Sequence, residues 1–264
     1  MKILVLVKQI PDLENKVKVS IDQKNFSMKR GGIPSIMNPA DKNALEAALK
    51  IKDAHPSTTV HVISMGPKQA TEVLKEAYSM GSDTGTLLSD PLYAGSDTLA
   101  TSLILTKAIQ SIGEYTLIFC GKQALDGDTG QVGPGIASRL SIPQIMAATG
   151  VTIDNTTCIV KREFRNHMET IVSPMPALIA FKAHCNTPRL PSLRGLYAKE
   201  NWTPTMLQNT DLQISIQHLG IEGSPTRVVK TFQPVLTKTT ETVHFDDGSI
   251  PVNHIMKTIH EVNQ

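Results

Sequence analysis

The stretch TLIFCGKQALDGDTGQVGPGIASRL, residues 116–140, contains a pattern from which the rest of the architecture follows. Thr116 to Cys120 is a short apolar run, typical of a strand that is covered on both faces. Five glycines follow within residues 121–135, and IASRLSI then has the pattern of a helix that continues to about Leu140. The stretch therefore predicts a strand, a glycine-rich loop and a helix in succession.

The same succession occurs earlier in the chain. Ile3 to Val7 and Val60 to Ser64 are further apolar runs, and helical patterns occupy Asp41 to Lys52, Thr71 to Met80 and Asp97 to Ile112. Strands that alternate with helices, joined by right-handed crossovers, form an open parallel sheet with helices on both faces. The predicted fold class is therefore α/β.

The second half of the chain has a different pattern of apolar and polar residues. From about residue 150, VTIDNTTCIVKREF and METIVSPMPALIAF predict additional β-strands on the same domain. Residues 188–204 contain too many prolines and glycines for a regular element and predict a protruding loop over about 188–200. We expect an α/β domain over residues 1–222 and a C-terminal arm over residues 223–264, with a short helix from Val252 to Val262.

Composition excludes several classes of protein. The formal net charge is +2 without a basic run, and 4% of the residues are aromatic, which argues against nucleic-acid binding. Cys120, Cys158 and Cys185 lie far apart and form no CxxC pair, so a disulfide framework is unsupported and a reducing cytoplasm fits best. The apolar run at Ile3 is too short for a signal-peptide core or a membrane span. The histidines include no HxxxH or HExxH pattern, so we expect no metal site.

Three segments leave the carboxyl ends of the predicted strands, which is where parallel sheets bind ligands. They are KQIPD, SMGP and the glycine-rich loop. The loop has a negative charge balance, but backbone N–H groups at a helix start can bind an anion without a basic side chain. Thr129 is the expected N-cap, with Gly130 and Gln131 as the first helical residues. The loop matches neither GxxxxGK[ST] nor GxGxxG, and a glycine-rich connection without a ligand stays open as the alternative.

Two further helix starts have ordinary capping chemistry as well as a place near the predicted crevice. In MNPADKNALEAAL, Asn38 is a turn former and Asp41 a cap. In GSDTLAT, Ser96 or Asp97 is a cap for the third helix. Leu193 differs from these residues because it is an apolar residue on a protruding loop, which makes it a candidate anchor for a partner protein.

Five motifs together resemble the small (beta) subunit of the electron-transfer flavoproteins. They are VKQIPD at residues 7–12, MNPAD at 37–41, SMGP at 64–67, GKQALDGDTGQVGP at 121–134 and PRLPSLRG at 188–195. The resemblance implies a parallel α/β nucleotide-binding domain whose C-terminal arm reaches onto a larger alpha subunit. GDTGQVGP, GSDTLAT and GSPTRVVKTF are similar to the electron-bifurcating type of anaerobic bacteria, in which the site holds FAD. In respiratory members the same site holds AMP.

The resemblance also implies site residues. Those that match positions lining the adenine and ribose are Leu6, Asn38, Pro39, Ala40, Asp41 and Met65. The segment that matches the wrapping of ribose and phosphates consists of Gly121, Lys122, Gln123, Ala124, Leu125, Asp126, Gly127, Asp128, Thr129, Gly130, Gln131 and Val132. Asp97 and Thr98 match positions nearer the flavin. Leu193 matches the leucine that the family inserts into a partner dehydrogenase, and Arg162 and Glu163 match an Arg-Glu pair whose glutamate contacts the alpha subunit.

The chemistry follows from the same resemblance. A bound cofactor has to carry the electrons, because no side chain here does so at useful potentials unless cysteines pair. The expected reaction is hydride transfer from NADH to FAD, with one electron passed to ferredoxin or flavodoxin and the other, through the alpha-subunit FAD, to an acyl-CoA, enoyl-CoA or 2-hydroxy-acid dehydrogenase. Asp126 and Asp128 are expected to bond hydroxyls or backbone amides, because phosphate would repel them. The alternatives are a respiratory subunit with structural AMP and a free-standing ATP-binding stress or signalling domain.

Overall fold

The structure is a computed structural model that describes residues 1–12, 20–21, 28–29, 34–165, 167–229 and 249–262. A first compact unit ends at Val229, and the last helix belongs to a second unit. The predicted boundary at residues 222 and 223 falls inside the first unit. Residues 230–248 of the predicted arm lie outside the described residues.

The described residues contain thirteen strands and seven α-helices. The strands are β1 Lys2–Leu6, β2 Gln9–Pro11, β3 Ser20–Ile21, β4 Met28–Lys29, β5 Ser35–Met37, β6 Thr59–Met65, β7 Thr84–Leu88, β8 Leu117–Gly121, β9 Gln144–Asp154, β10 Thr157–Phe164, β11 His167–Pro174, β12 Ala177–Phe181 and β13 Thr205–Leu207. The helices are α1 Pro39–Ala54, α2 Thr71–Met80, α3 Thr98–Ile112, α4 Val132–Leu140, α5 Leu193–Ala198, α6 Asn209–Leu212 and α7 Ser249–Val262.

Nine of the described strands form one sheet in the order β11-β10-β9-β12-β8-β1-β6-β7-β13. The seven strands β9, β12, β8, β1, β6, β7 and β13, in this order across the sheet, pair parallel with one another. At the other edge, β10 pairs antiparallel with both β9 and β11. β1 pairs with β6 on one side and with β8 on the other. The chain thus builds outward from β1 in one direction and then returns to build in the other, which makes the carboxyl end of β1 a topological switch point.

Helices cover both faces of the sheet because the central strands are apolar on both. In β1, Ile3 and Val5 pack in the core that α1 and α2 complete, while Leu4 and Leu6 pack in the core that α3 and α4 complete. All four side chains are buried. This arrangement confirms the predicted α/β fold with a mostly parallel sheet and additional β-strands.

Some element predictions were accurate and others were wrong. Helix α2 has the predicted bounds, and the strands predicted after residue 150 join the main sheet. The sequence analysis missed β7, whose TGTLL begins with small and polar residues rather than an apolar run. The expectation of no regular element over residues 188–204 was wrong, because this segment contains the short helix α5. No described helix is long and apolar enough to cross a membrane.

Candidate functional site

A cavity of about 700 Å³ lies where β1, β6 and β8 end. Leu6, Ile63 and Met65 line it from the strand ends. The loop after β8 and the segment before α3 supply most of the remaining wall. A crevice outside the carboxyl ends of the strands, at the switch point of the sheet, is where open α/β folds bind ligands.

Asn38 holds the loop after β8 by bonding to its backbone. The residue immediately precedes α1 and is 1% exposed. Its Nδ2 donates to the carbonyl of Gln123 at 3.0 Å, and its Oδ1 accepts from the N–H of Leu125 at 3.1 Å. Both ends of the buried amide are therefore used to shape the loop.

Asp41 joins the ends of β1 and β8. Its Oδ1 accepts from the N–H of Gly121 at 2.8 Å and its Oδ2 from the N–H of Lys8 at 2.8 Å. Gly121 has to be glycine for this contact, since a Cβ there would lie 2.4 Å from Asp41 Oδ1. The predicted capping role of Asp41 is wrong, because α1 begins at Pro39 and the carboxylate bonds to neighbouring strands.

The burial of Asp41 has an electrostatic consequence. Removal from water raises the pKa of its carboxyl from the ordinary 3.8 to about 6, although the N–H donors of Lys8 and Gly121 oppose that rise. The same burial, together with the charge of Asp41, raises the pKa of the Cys120 thiol well above its usual range. Cys120, on the cavity wall, is therefore a neutral thiol at physiological pH.

The aspartates of the loop bond to nitrogen atoms of side chains. Lys8 Nζ lies 2.6 Å from Asp126 Oδ1, and Gln123 Nε2 donates to Asp128 Oδ1. These contacts, with a lysine and a side-chain amide, differ from the hydroxyls and backbone amides expected from the sequence. Lys8 offsets one of the two negative charges, so the loop repels an anion less than its own composition indicates.

Residues 129–133 line the cavity and have unpaired backbone N–H groups. All five residues line it, and within the described residues their N–H groups donate to no protein atom. They lie at the start of α4, where the helix leaves its first N–H groups without intrahelical acceptors. The N-cap is Gln131 and not Thr129, so the helix starts later than predicted. Five consecutive donors at a helix start form a site suited to an anion.

Gly130 makes a left-handed turn within this segment. Its φ is +63°, in the left-handed region that glycine adopts without strain. A Cβ at this position would lie 3.3 Å from the carbonyl oxygen of Lys122. A branched side chain would therefore be strained in its backbone and crowded against the opposite side of the loop.

The α3 side of the cavity is built around Asp97. Its Oδ1 accepts from the N–H groups of Leu99 and Ala100, which confirms the predicted cap of the third helix. Thr98 Oγ1 donates to Gln131 Oε1 at 2.9 Å. A residue predicted near the flavin is thus in direct contact with a residue predicted near the ribose and phosphates.

Fourteen of the twenty predicted cofactor residues line the cavity. These are Leu6, Asp41, Met65, Asp97, Thr98, Gly121, Lys122, Gln123, Ala124, Gly127, Thr129, Gly130, Gln131 and Val132. Asn38, Pro39 and Ala40, at the start of α1, and Leu125, Asp126 and Asp128, in the loop, lie outside the lining. Direct contact of any of the twenty with a nucleotide stays a prediction.

The sequence analysis missed one part of the wall. Tyr93, Ala94, Thr101 and Leu105 also line the cavity. The segment of Tyr93 and Ala94 follows β7, so missing that strand also hid the loop at its carboxyl end. The signal was DPLYAG, residues 90–95, in which Pro91 and Gly95 mark a turn at the end of a strand.

The loop over residues 188–200 is fixed at its base and apolar at its tip. Arg189 binds the buried Glu46 through its main chain and guanidinium, and Arg189 Nη2 lies 2.7 Å from Asp53 Oδ2. Gly195 packs so closely that a Cβ would lie 2.2 Å from the carbonyl oxygen of Ser79. Leu193 is 87% exposed, so the predicted anchor residue points to solvent.

Arg162 and Glu163 do not pair with each other. They are consecutive on β10, and Arg162 Nη2 lies 2.7 Å from Glu169 Oε2 on β11. Glu163 Oε2 lies 2.5 Å from Lys182 Nζ, and its side chain is 45% exposed. Their contacts with a partner subunit stay predictions. Among the described residues no group of three His, Cys, Asp or Glu side chains could hold a metal ion.

Comparisons with known proteins all match one protein family. Residues 26–202 match the family model described as "Electron transfer flavoprotein domain". The chain is 44% identical over 235 residues to "Electron transfer flavoprotein subunit beta" of Thermoanaerobacterium thermosaccharolyticum, covering 89% of this chain and 88% of that protein. It is 42% identical to "Caffeyl-CoA reductase-Etf complex subunit CarD" of Acetobacterium woodii, with coverage of 89% and 88%. It is 38% identical to "Acryloyl-CoA reductase electron transfer subunit gamma" of Anaerotignum propionicum, with 89% of each chain covered.

Proposed function

Because this chain belongs to the electron transfer flavoprotein family, among its beta subunits, we propose that it is the small subunit of an NADH-dependent, electron-bifurcating heterodimer that binds FAD in the cavity at the ends of β1, β6 and β8. The observation on which this proposal depends is the row of unpaired N–H groups in residues 129–133. Membership in the family argues against a free-standing ATP-binding stress or signalling domain. The alpha subunit is the proposed permanent partner.

The residues present fit an adenine dinucleotide. The donors of residues 129–133 supply neutral hydrogen bonds for phosphate oxygens, which suits a loop that contains two aspartates. Leu6, Ile63 and Met65 supply an apolar surface of the kind that an adenine ring prefers. Lys122 is exposed and lines the cavity, so its ammonium can reach a phosphate without becoming buried.

The extent of the cavity favours FAD over AMP. At about 700 Å³ it lies in the upper half of the range of roughly 300–1,000 Å³ found for ligand cavities. Its wall continues past the loop after β8 to Tyr93 and to the start of α3. A mononucleotide held at residues 129–133 would leave that second region to solvent, whereas the flavin half of FAD gives it an occupant.

The protein's own residues bind and orient the cofactor. When bound, FAD supplies the redox chemistry, accepting hydride from NADH and passing one electron to a ferredoxin or flavodoxin and the other, through the alpha-subunit FAD, to a dehydrogenase. Asn38 and Asp41 fix the loop, and residues 129–133 hold phosphate oxygens. The described cysteines are all unpaired, and Cys120 and Cys158 are buried, so no disulfide among them competes for electrons.

The dehydrogenase partner is proposed to act on CoA esters or 2-hydroxy acids. Two of the relatives are named for caffeyl-CoA and acryloyl-CoA reductases, which favours an acyl-CoA or enoyl-CoA enzyme. Leu193 is the proposed contact with that enzyme, since it is the exposed apolar tip of a loop fixed at its base. Glu163 is the proposed contact with the alpha subunit.

Anaerobic titration of the purified heterodimer with NADH tests this function. The proposal predicts loss of flavin absorbance on addition of NADH, and reduction of ferredoxin only when the dehydrogenase and its substrate are also present. A heterodimer whose flavin stays oxidised in excess NADH, and which accepts electrons from a dehydrogenase instead, would belong to the respiratory type.

A further inference from the structure

Residues 220–226, here called the strap, bind the α3 side of the cavity. Ser224 is 5% exposed, and its Oγ accepts from the N–H of Asp97 at 2.8 Å and donates to the carbonyl of Gly220 at 2.6 Å. Ile221 packs against Gly95, where a Cβ would lie 2.4 Å from the isoleucine side chain. Gly95 has a φ of +75°, so both its conformation and its neighbour require glycine.

The carboxylate of Asp97 is shared between the strap and helix α3. Oδ1 caps the helix, while Oδ2 accepts from the N–H of Thr226 at 3.1 Å and from its Oγ1 at 2.8 Å. Burial alone would raise the pKa of Asp97, but the donors from Thr226, Ala100 and Leu99 together hold it below the ordinary value. With four donors, the carboxylate has no lone pair left for a ligand.

The contacts continue from Asp97 to the phosphate side of the cavity. Thr98, the next residue, donates to Gln131, and Gln131 is the N-cap of α4. Thr226, Asp97, Thr98 and Gln131 therefore form an unbroken series of hydrogen-bonded and chain neighbours from the strap to the unpaired N–H groups. A shift of the strap would displace the residues that present those donors.

We propose that Asp97, Ser224 and Thr226 are positioning residues, and that the strap holds the start of α3 and the Thr98–Gln131 contact in the arrangement that binds the nucleotide. The inference rests on the proposed function, since it concerns the same cavity. In this proposal Asp97 acts by holding other residues of the chain in place and does not contact the flavin directly. The proposal also gives GSPTR, residues 223–227, a role within the nucleotide domain.

Variants of the full-length chain test the strap. Thr226→Val removes the hydroxyl bond to Asp97 but keeps the N–H bond and the size of the side chain, whereas Thr226→Ser keeps both bonds. Asp97→Asn keeps a good helix cap but replaces the acceptor of Thr226 with a donor. Thr205→Val, on the exposed strand β13, is the matched control. The probes are ADP and FAD, with the dissociation constant measured by calorimetry.

We expect Thr226→Val and Asp97→Asn each to weaken ADP and FAD binding about tenfold, as for the loss of a hydrogen bond to a charged group. Thr226→Ser and Thr205→Val should bind like the wild type, and the double variant should lose no more than either single variant. Amide hydrogen exchange without ligand should rise in Thr226→Val at Leu99 and Ala100, whose N–H groups donate to Asp97, and at Gly135, whose N–H donates to the carbonyl of Gln131.

The outcomes separate the two proposals. Wild-type affinity in Thr226→Val, or full additivity in the double variant, would overturn the strap and leave the nucleotide site standing. Equal weakening in Thr226→Ser would also overturn it, since the hydroxyl would then be irrelevant. A wild-type chain that binds neither ADP nor FAD would overturn the proposed function itself.

Discussion

The loop after β8 and the loop over residues 188–200 use similar residue types for opposite purposes. Both are rich in residues that interrupt regular structure, and both are fixed by buried carboxylates, Asp41 in the first and Glu46 in the second. In the first loop residues 129–133 line a cavity and have unpaired backbone N–H groups, while the side chains of Asn38 and Asp41 hold the preceding part of the loop. In the second the backbone packs against Ser79 and the side chain of Leu193 faces solvent. In both loops a glycine permits a close backbone contact. The loops differ in the group left without a partner, which is a set of backbone N–H groups in the first and an apolar side chain in the second.

The largest expected effect comes from removing the brace of the first loop. Asp41→Ala leaves the N–H groups of Gly121 and Lys8 without an acceptor, at a cost of about 1–3 kcal/mol each. We expect the free energy of unfolding to fall by about 3 kcal/mol and nucleotide binding to be lost. Asp53→Ala is the control, since Asp53, on α1 at the base of the second loop, is 62% exposed and its pairing with Arg189 contributes about 1 kcal/mol or less. Equal losses in urea unfolding of the two variants would contradict this contrast.

A smaller effect is expected from Gly130→Val. The substitution strains a residue with positive φ and crowds the carbonyl of Lys122, so ADP binding should weaken tenfold or more. Gly113→Val is the matched control, because Gly113 also has a positive φ, of +93°, with nothing within 4 Å of its Cβ, and lies outside the cavity lining. If both variants lose the same stability but only Gly130→Val loses ADP affinity, the loop conformation matters for binding. Full occupancy in Gly130→Val would place the cradle elsewhere.

Leu193→Ala addresses the second loop. Truncating an exposed anchor should slow electron delivery to the partner dehydrogenase about tenfold, as for an interface hot spot, and leave flavin content and the unfolding midpoint unchanged. Ile216→Ala is the matched control, since Ile216 is a 61% exposed aliphatic residue outside both loops. Stopped-flow transfer rates that are equal in the two variants would remove the anchor role.

The last expected effect is a pH dependence at Asp41. The folded protein binds this proton at a pKa of about 6 and the unfolded chain near 3.8, so between these values the folded state holds more protons. The contribution of this group to the free energy of unfolding therefore falls as the pH rises through that window. Asp41→Asn should lack this component. A wild type and an Asp41→Asn variant with the same pH profile of urea unfolding would contradict the assignment.

The sequence could predict the central sheet because a short continuous apolar run indicates a strand that is buried on both faces. Ile3 to Val7 and Thr116 to Cys120 are apolar on both faces, which only buried parallel strands require. β7 escaped detection because Thr84 and Gly85 depart from that pattern, and Gly85 is small for a reason outside the strand, where a Cβ would lie 2.9 Å from the Trp202 ring. Such a contact depends on residues more than a hundred positions away.

The site was only partly predictable for a related reason. Motifs gave the residues at the cavity, but their bonding partners depend on tertiary contacts such as Lys8 with Asp126 and Thr226 with Asp97. The roles of Asn38 and Asp41 illustrate this, since their sequence context equally suits a helix cap. The structure shows that their polar atoms hold the loop.

Counting the nucleotides released from the purified heterodimer tests the central claim most directly. Denaturation followed by chromatography and absorption spectroscopy should give two FAD molecules per heterodimer and no AMP, because we propose that the flavin half of FAD occupies the part of the cavity next to Tyr93 and the start of α3. One FAD together with one AMP would contradict the account and assign the chain to the respiratory type.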